Sequence, residues 1–305
     1  MDASRTQRDG LALGIGAYAL WGLLPLYLKL LHGVGSGEVL AHRIVWSLLL
    51  LAILAVALGR AGEIRAAARG RTLLLLGLSA MLITINWIGY IWAILNGHAL
   101  EGSLGYFINP MVNVALGVAV LGERIRPVQI AAVGIAVVGV ALLAVANLLT
   151  GGGGAWWLSL LLPVSFGLYG LVRKVAAIDA LGGLVVETLL LAPPALLWLL
   201  YAEWQGTAAF GHDLRLDLLL AAAGLVTAVP LLMFTGAARR LRYATLGLIQ
   251  YILPTLVFFE AVLLFGEPLR TVQLVTFGLI WTGCALYAFD SVREARSVIG
   301  DDAVR

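Results

Sequence analysis

Charge is scarce in this sequence: only 12% of its 305 residues are Asp, Glu, Lys or Arg, too few to cover the surface of a soluble domain this large. Cysteine is scarcer still. Cys284 stands alone, which excludes a disulfide framework and a cysteine-built metal site. There is no Gly-x-x-x-x-Gly-Lys-Ser/Thr phosphate loop, so ATP-driven transport by this chain alone is not expected. His-Glu-x-x-His, Gly-x-Ser-x-Gly and clustered His/Cys sets are also missing, leaving an enzyme reading, a metal or a cofactor little to stand on. Gly14-Ile-Gly16 resembles the start of a dinucleotide fingerprint, but no strand precedes it. With Gly10 it reads better as a close helix-packing face. The formal charge of +3 comes from basic residues in separate short loops, not one stripe, so nucleic acid is not an expected partner.

What is present is apolar length. Hydrophobic residues make up 61% of the chain and the mean hydropathy is +0.98. About twenty apolar residues at a 1.5 Å rise cross a hydrocarbon core of roughly 30 Å. Runs of this kind fall at about 11–31, 39–59, 72–95, 103–121, 128–149, 155–172, 182–201, 216–236, 244–265 and 271–289. Their unalternated pattern predicts helices rather than barrel strands. The expected fold is an all-α integral membrane protein of ten transmembrane helices, its partner the lipid bilayer. The first run is too long for a signal-peptide core and lacks a following Ala-x-Ala, so it is expected to remain as the first helix. With the N-terminus cytoplasmic, only Lys29, Arg43, Arg215 and Arg270 of the 20 Lys and Arg fall on the outer side. Both termini are therefore expected inside.

Part of the chain occurs twice. Residues 104–144 re-read 144 positions later as 248–288, with Ile108 on Ile252, Pro110 on Pro254, Gly122-Glu123 on Gly266-Glu267, and Gly139 on Gly283. A weaker echo at 145 positions places Gly22 on Gly167 and Lys29 on Lys174. The predicted units are a first five-helix repeat at 1–149, a glycine hinge at 150–154, a second repeat at 155–290 and a cytoplasmic tail at 291–305. Five crossings is an odd number, so the second unit enters the membrane from the opposite side. An inverted repeat of this kind points to a transporter working by alternating access. The plainer alternative is a duplication kept for assembly alone.

Polar residues inside the runs mark candidate sites, because hydrocarbon offers them no partners. Tyr106, Asn109 and Asn113 share one helix face around Pro110, and Gln250 is the counterpart of Tyr106 beside Pro254. Each proline removes a helix hydrogen bond and should loosen its helix near the midplane. Asn86 and Tyr90 share a face in the third run beside Trp87. With Trp21 and Tyr251 these aromatics would wall a cavity for an amphipathic solute. The competing reading for the amides is hydrogen-bond glue between helices. Trp156, Trp157, Trp198 and Trp204 suit the interfacial belt. His42, Arg43, Glu187 and Glu260 are candidates for coupling or gating, proton coupling included, against a structural ion pair or a snorkelling head group. Lys29 and Lys174 read as snorkelling residues. Glu123 and Glu267 read as clamps reaching the next helix N-terminus or Arg126 and Arg270.

At these residues the chain resembles the RarD branch of the EamA-type permeases, in the drug/metabolite transporter superfamily. The matching strings are His42-Arg-Ile-Val-Trp-Ser47, Asn86-Trp87 with Tyr90-Ile-Trp92, Ser103-Leu-Gly-Tyr-Phe-Ile-Asn-Pro110 and Gly122-Glu-Arg124. Further on come Tyr169-Gly-Leu-Val-Arg-Lys174, Val229-Pro-Leu-Leu-Met-Phe-Thr235 and Thr245-Leu-Gly-Leu-Ile-Gln-Tyr251. The resemblance implies ten helices in a five-plus-five inverted arrangement around a central cavity, in a bacterial inner membrane. It also implies export or exchange of small organic solutes, among them amino-acid-like metabolites or drugs; the branch is associated with chloramphenicol sensitivity or resistance. The rival readings are a membrane enzyme acting on lipid-linked substrates and a receptor without transport. Substrate, direction, coupling ion and oligomeric state stay open at this stage.

Overall fold

Backbone amides in hydrocarbon must find their partners within the segment, and here they do so by forming helix throughout. The computed structural model describes residues 3–31, 33–95, 99–149, 157–264 and 271–302, and no strand occurs among them. The helices are α1 (Ala3–Gly22), α2 (Leu24–Leu30), α3 (Ser36–Ala57), α4 (Ala61–Ala67), α5 (Gly70–Leu95), α6 (Ala99–Ala119) and α7 (Pro127–Leu149). They continue as α8 (Leu158–Val175), α9 (Ala180–Trp204), α10 (Leu214–Arg240), α11 (Tyr243–Ile249), α12 (Ile252–Phe259) and α13 (Thr271–Asp302). Among the described residues, six stretches are long and apolar enough to cross a membrane: Arg5–Leu30, Ser36–Ala57, Gly70–Ala93, Pro127–Ala146, Ala180–Trp204 and Leu214–Arg240. Shorter apolar helices cover Gly105–Ala119, Thr245–Phe259 and Leu274–Gly283. Large side chains such as Leu74, Leu149, Leu197, Leu200 and Leu263 stay exposed, as a lipid-facing surface requires. The chain is a multi-pass membrane protein.

The two prolines expected to act alike do not. Pro110 sits inside an unbroken α6, whereas the chain divides at Gln250-Tyr251 into α11 and α12 ahead of Pro254. Residue 250 lies four before Pro254, where the ring displaces the carbonyl of a regular turn. A one-turn π-helix, Glu260–Leu264, then extends α12. The segment 291–302 continues α13 as helix. The glycine hinge at 150–154, Trp156, Glu267 and Arg270 lie outside the described residues.

Packing follows a pattern. α1 lies against α10 and α12, while α8 lies against α5 and α6. α3 packs on α9 and α10, α9 also meets α5, α6 meets α11, and α7 pairs with α13. Small residues set the close approaches. A Cβ on Gly139 would stand 3.1 Å from the Thr276 carbonyl oxygen, and one on Gly283 would stand 2.6 Å from that of Ala132. A Cβ on Gly22 would meet Leu256 at 2.6 Å, and one on Gly167 would meet Val112 at 2.8 Å.

Cations close the helix ends. Lys174 Nζ donates to the carbonyls of Ala238 (3.0 Å) and Leu241 (2.6 Å), so it caps the end of α10 rather than snorkelling. Arg239 donates to the carbonyl of Ala176 at 3.1 Å and also to that of Ile178. Glu123 Oε1 accepts the Tyr243 N–H at 2.7 Å. Its carboxylate thus reaches the start of α11, 120 residues away, where a negative side chain favours an open helix N-terminus.

Candidate functional site

Among the described residues, three clusters gather buried polar side chains from several helices. In the first, Gln250 projects from the break between α11 and α12 and joins three elements. Its Oε1 accepts from Asn113 Nδ2 of α6 at 2.9 Å and from the Tyr18 hydroxyl of α1 at 3.4 Å. Asn109, one turn from Asn113, is fully enclosed, and neither its amide nitrogen nor its oxygen has a hydrogen-bond partner among the described residues. Such a group costs about 1–3 kcal/mol, so a fixed position for it asks for an explanation.

The second cluster surrounds Arg43, in α3. Its Nε donates to Thr227 Oγ1 of α10 at 2.9 Å, and the guanidinium stands 4.5 Å over the Trp87 ring of α5. Tyr90 and Tyr106 meet edge to face at 5.1 Å, within electrostatic range of the same guanidinium. Beside it, towards the predicted outer side, Trp46 Nε1 donates to His42 Nδ1 at 3.2 Å, and Glu38 lies 3.9 Å from His42 Nε2. Glu38 Oε1 also accepts the Ala209 N–H at 2.7 Å, and Phe210 lies 5.0 Å from the His42 ring. His42 thus helps pin the loop between α9 and α10 over the start of α3.

The third cluster is an ion pair. Arg173, fully buried in α8, stands 3.5 Å from Glu187 Oε1 of α9 and donates to the carbonyls of Asp179 (3.2 Å) and Ala180 (3.1 Å). Ser79 of α5 donates to the same carboxylate oxygen. Gly183 makes room for the guanidinium, which any Cβ there would overlap.

Between the second and third clusters lies an internal void with space for about a single water. Arg43, Trp87 and Thr227 line one side, Tyr169, Glu187 and Thr188 the other. The predicted site residues are therefore brought together only in part. Trp87, Tyr90 and Tyr106 gather at Arg43, while Asn113 and Gln250 form the first cluster. Asn86 points elsewhere: its Nδ2 donates to the Leu162 carbonyl at 2.8 Å and to Ser165 Oγ at 3.1 Å, tying α5 to α8. Trp21 belongs to an aromatic group with Tyr18, Phe166 and Phe234, its ring 5.6–5.7 Å from each. Tyr251 is core, in the cluster with Phe107 and Phe277. Glu260 is buried in the π-turn, with neither carboxylate oxygen hydrogen-bonded among the described residues. Sequence reasoning missed Thr227, Tyr169 and Ser79, which no spacing singled out. It placed Arg173 at the inner membrane surface, two residues from the end of α8, without seeing that the side chain turns inward.

A bundle of buried, mutually bonded polar groups with a lipid-facing exterior has the features of a membrane transport protein. Comparison with known proteins agrees. Residues 8–145 match the model of the EamA-like transporter family. The chain is 46% identical to an uncharacterized transporter of Pseudomonas aeruginosa, over 96% of this chain and 98% of that protein. It is 42% identical to Protein RarD of Escherichia coli over 97% and 99% of the respective chains. A second P. aeruginosa relative, named chloramphenicol-sensitive protein RarD, is 36% identical over 96% and 97%. A solved crystal structure shares the fold, with a TM-score of 0.69 and 17% identity over 92% of this chain and 97% of that one. The chain belongs to the EamA-like transporter family, as a RarD-type permease.

Proposed function

We propose that the protein is a secondary permease exporting small organic solutes by alternating access, its ten helices forming two inverted five-helix units with both termini cytoplasmic. The observation that carries this reading is the reciprocity of the contacts between units. Gly139 approaches the Thr276 carbonyl, and the counterparts of these residues, Gly283 and Ala132, make the same approach. Gly22 with Leu256 and Gly167 with Val112 form a second such couple. The helix pairs follow suit: α1 with α10 answers α8 with α5, and α3 with α10 answers α9 with α5. Units that exchange contacts in this way have two equivalent packings available, one open to each side. The enclosed polar clusters suit a state closed to both.

The solute class proposed is amino-acid-like metabolites and drugs, chloramphenicol among them, on the strength of the relative that carries that compound in its name. His42, Glu187 and Glu260 are the groups through which proton coupling would run. The test is flux into proteoliposomes across a panel including amino acids and chloramphenicol, with and without a pH gradient. Saturable uptake of at least one solute is expected. Failure of every solute in the panel overturns the reading.

A further inference from the structure

Two arginines are wholly enclosed in the bundle, and their surroundings differ in kind. Arg173 has a carboxylate, Glu187, at 3.5 Å and two helix-end carbonyls. Arg43 has no ion pair among the described residues. Its neighbours are the Thr227 hydroxyl, the Trp87 face and the phenols of Tyr27, Tyr90 and Tyr106, all neutral. Glu187 lines the same void, but its charge is already matched by Arg173.

A guanidinium carries five N–H donors in a planar fork. Thr227 takes the Nε donor, and no other hydrogen bond of this guanidinium occurs among the described residues. Holding an unmatched cation at this depth is costly. The aromatic face and the hydroxyl lessen that cost without neutralising the charge. An arrangement of this kind stabilises an arriving anion more than it stabilises the empty site. Arg43 also borders a void lined by residues of α3, α5, α8, α9 and α10 together.

We infer that Arg43 is the anion-recognition residue of the solute site, and that the preferred solutes carry a carboxylate on an apolar or aromatic body. This rests on the permease reading above. The fork matches a carboxylate bidentately, and Trp87, Tyr90, Tyr106, Ile83 and Leu191 supply apolar and aromatic surroundings. A single negative charge fits better than a phosphate dianion. Among the described residues lining the void, Arg43 is the cation without an ion pair, so one negative charge is what it can match.

The test compares two probes of the same shape, N-acetylphenylalanine and its neutral amide, in proteoliposomes bearing the wild-type protein, Arg43→Gln or Arg43→Lys, with chloramphenicol as an uncharged control. In the wild type the acid is expected to show a KM roughly 10- to 100-fold below that of the amide. Arg43→Gln should abolish the preference, bringing the KM values of acid and amide together. Arg43→Lys should keep part of the preference, having the charge without the fork. The wild-type comparison stands even where a variant fails to fold. Equal handling of acid and amide by the wild type, or a preference surviving in a folded Arg43→Gln, overturns the assignment. If chloramphenicol moves and neither probe does, the carboxylate assignment falls while the permease reading stands. If nothing moves, both fall.

Discussion

Trp21 and Phe166 lie 145 residues apart in the chain and meet edge to face, their ring centroids 5.6 Å apart. Each occupies the same place in its half, one residue before the glycine that admits a branched side chain of the opposite unit, Leu256 at Gly22 and Val112 at Gly167. In the inverted repeat proposed above, counterparts that touch each other lie close to the axis relating the halves. Tyr18, Phe234 and Tyr169 complete the aromatic group around them. Replacing Trp21 by Ala removes the ring from a site with no room for collapse by small side chains. A loss of about 3–5 kcal/mol is expected, read as a lowered melting temperature in detergent, and Trp21→Phe should cost much less.

The paired glycines of α7 and α13 should respond alike but unequally. An added Cβ stands 2.6 Å from a backbone oxygen at Gly283 and 3.1 Å at Gly139. Both Gly→Ala changes should destabilise, by about 1–3 kcal/mol at the tighter site and less at the other. Thermal unfolding of the two variants in the same detergent checks the order.

Gln250 is the shared acceptor of Asn113 and Tyr18. Gln250→Leu would strand both donors inside the bundle at about 1–3 kcal/mol, whereas Gln250→Glu keeps an acceptor there. A variant Gln250→Leu as stable as the wild type would show that the three-helix junction is not held by this amide.

The N-cap of α9 gives a pH dependence. Burial raises the pKa of Asp179, but the Arg60 hydrogen bond at 2.6 Å, the Gly182 N–H and the Arg60 charge outweigh it, holding the carboxyl below its ordinary 3.8. A folded-state value below the unfolded one means the stabilisation is fully present above the unfolded value and lost as pH falls through the folded one. Melting temperature should therefore drop more steeply below about pH 4 in the wild type than in Asp179→Asn.

Much of this architecture was legible in the residues. Apolar length marks a membrane helix because lipid leaves the backbone no other choice, whereas proline is an uneven signal: a break precedes Pro254 but Pro110 sits in an unbroken α6. Periodicity also identified which residues share a face, as with Tyr106, Asn109 and Asn113. It does not say what lies opposite that face. Asn86 has the same spacing signature as Tyr90, yet Asn86 bonds to α8 while Tyr90 faces Tyr106 and Arg43. The Arg173–Glu187 pair was hidden for a related reason. Arg173 sits near a helix end, where counting assigns it to a cytoplasmic loop, and only the gap left by Gly183 lets it turn inward.

The central claim is that one enclosed site is presented alternately to the two sides of the membrane. Solute counterflow tests it most directly: proteoliposomes loaded with excess unlabelled solute are diluted into a trace of the same solute carrying label. Alternating access predicts a transient accumulation of label above its equilibrium level, saturating with solute concentration. Label that only relaxes to equilibrium, at a rate proportional to concentration, would contradict it.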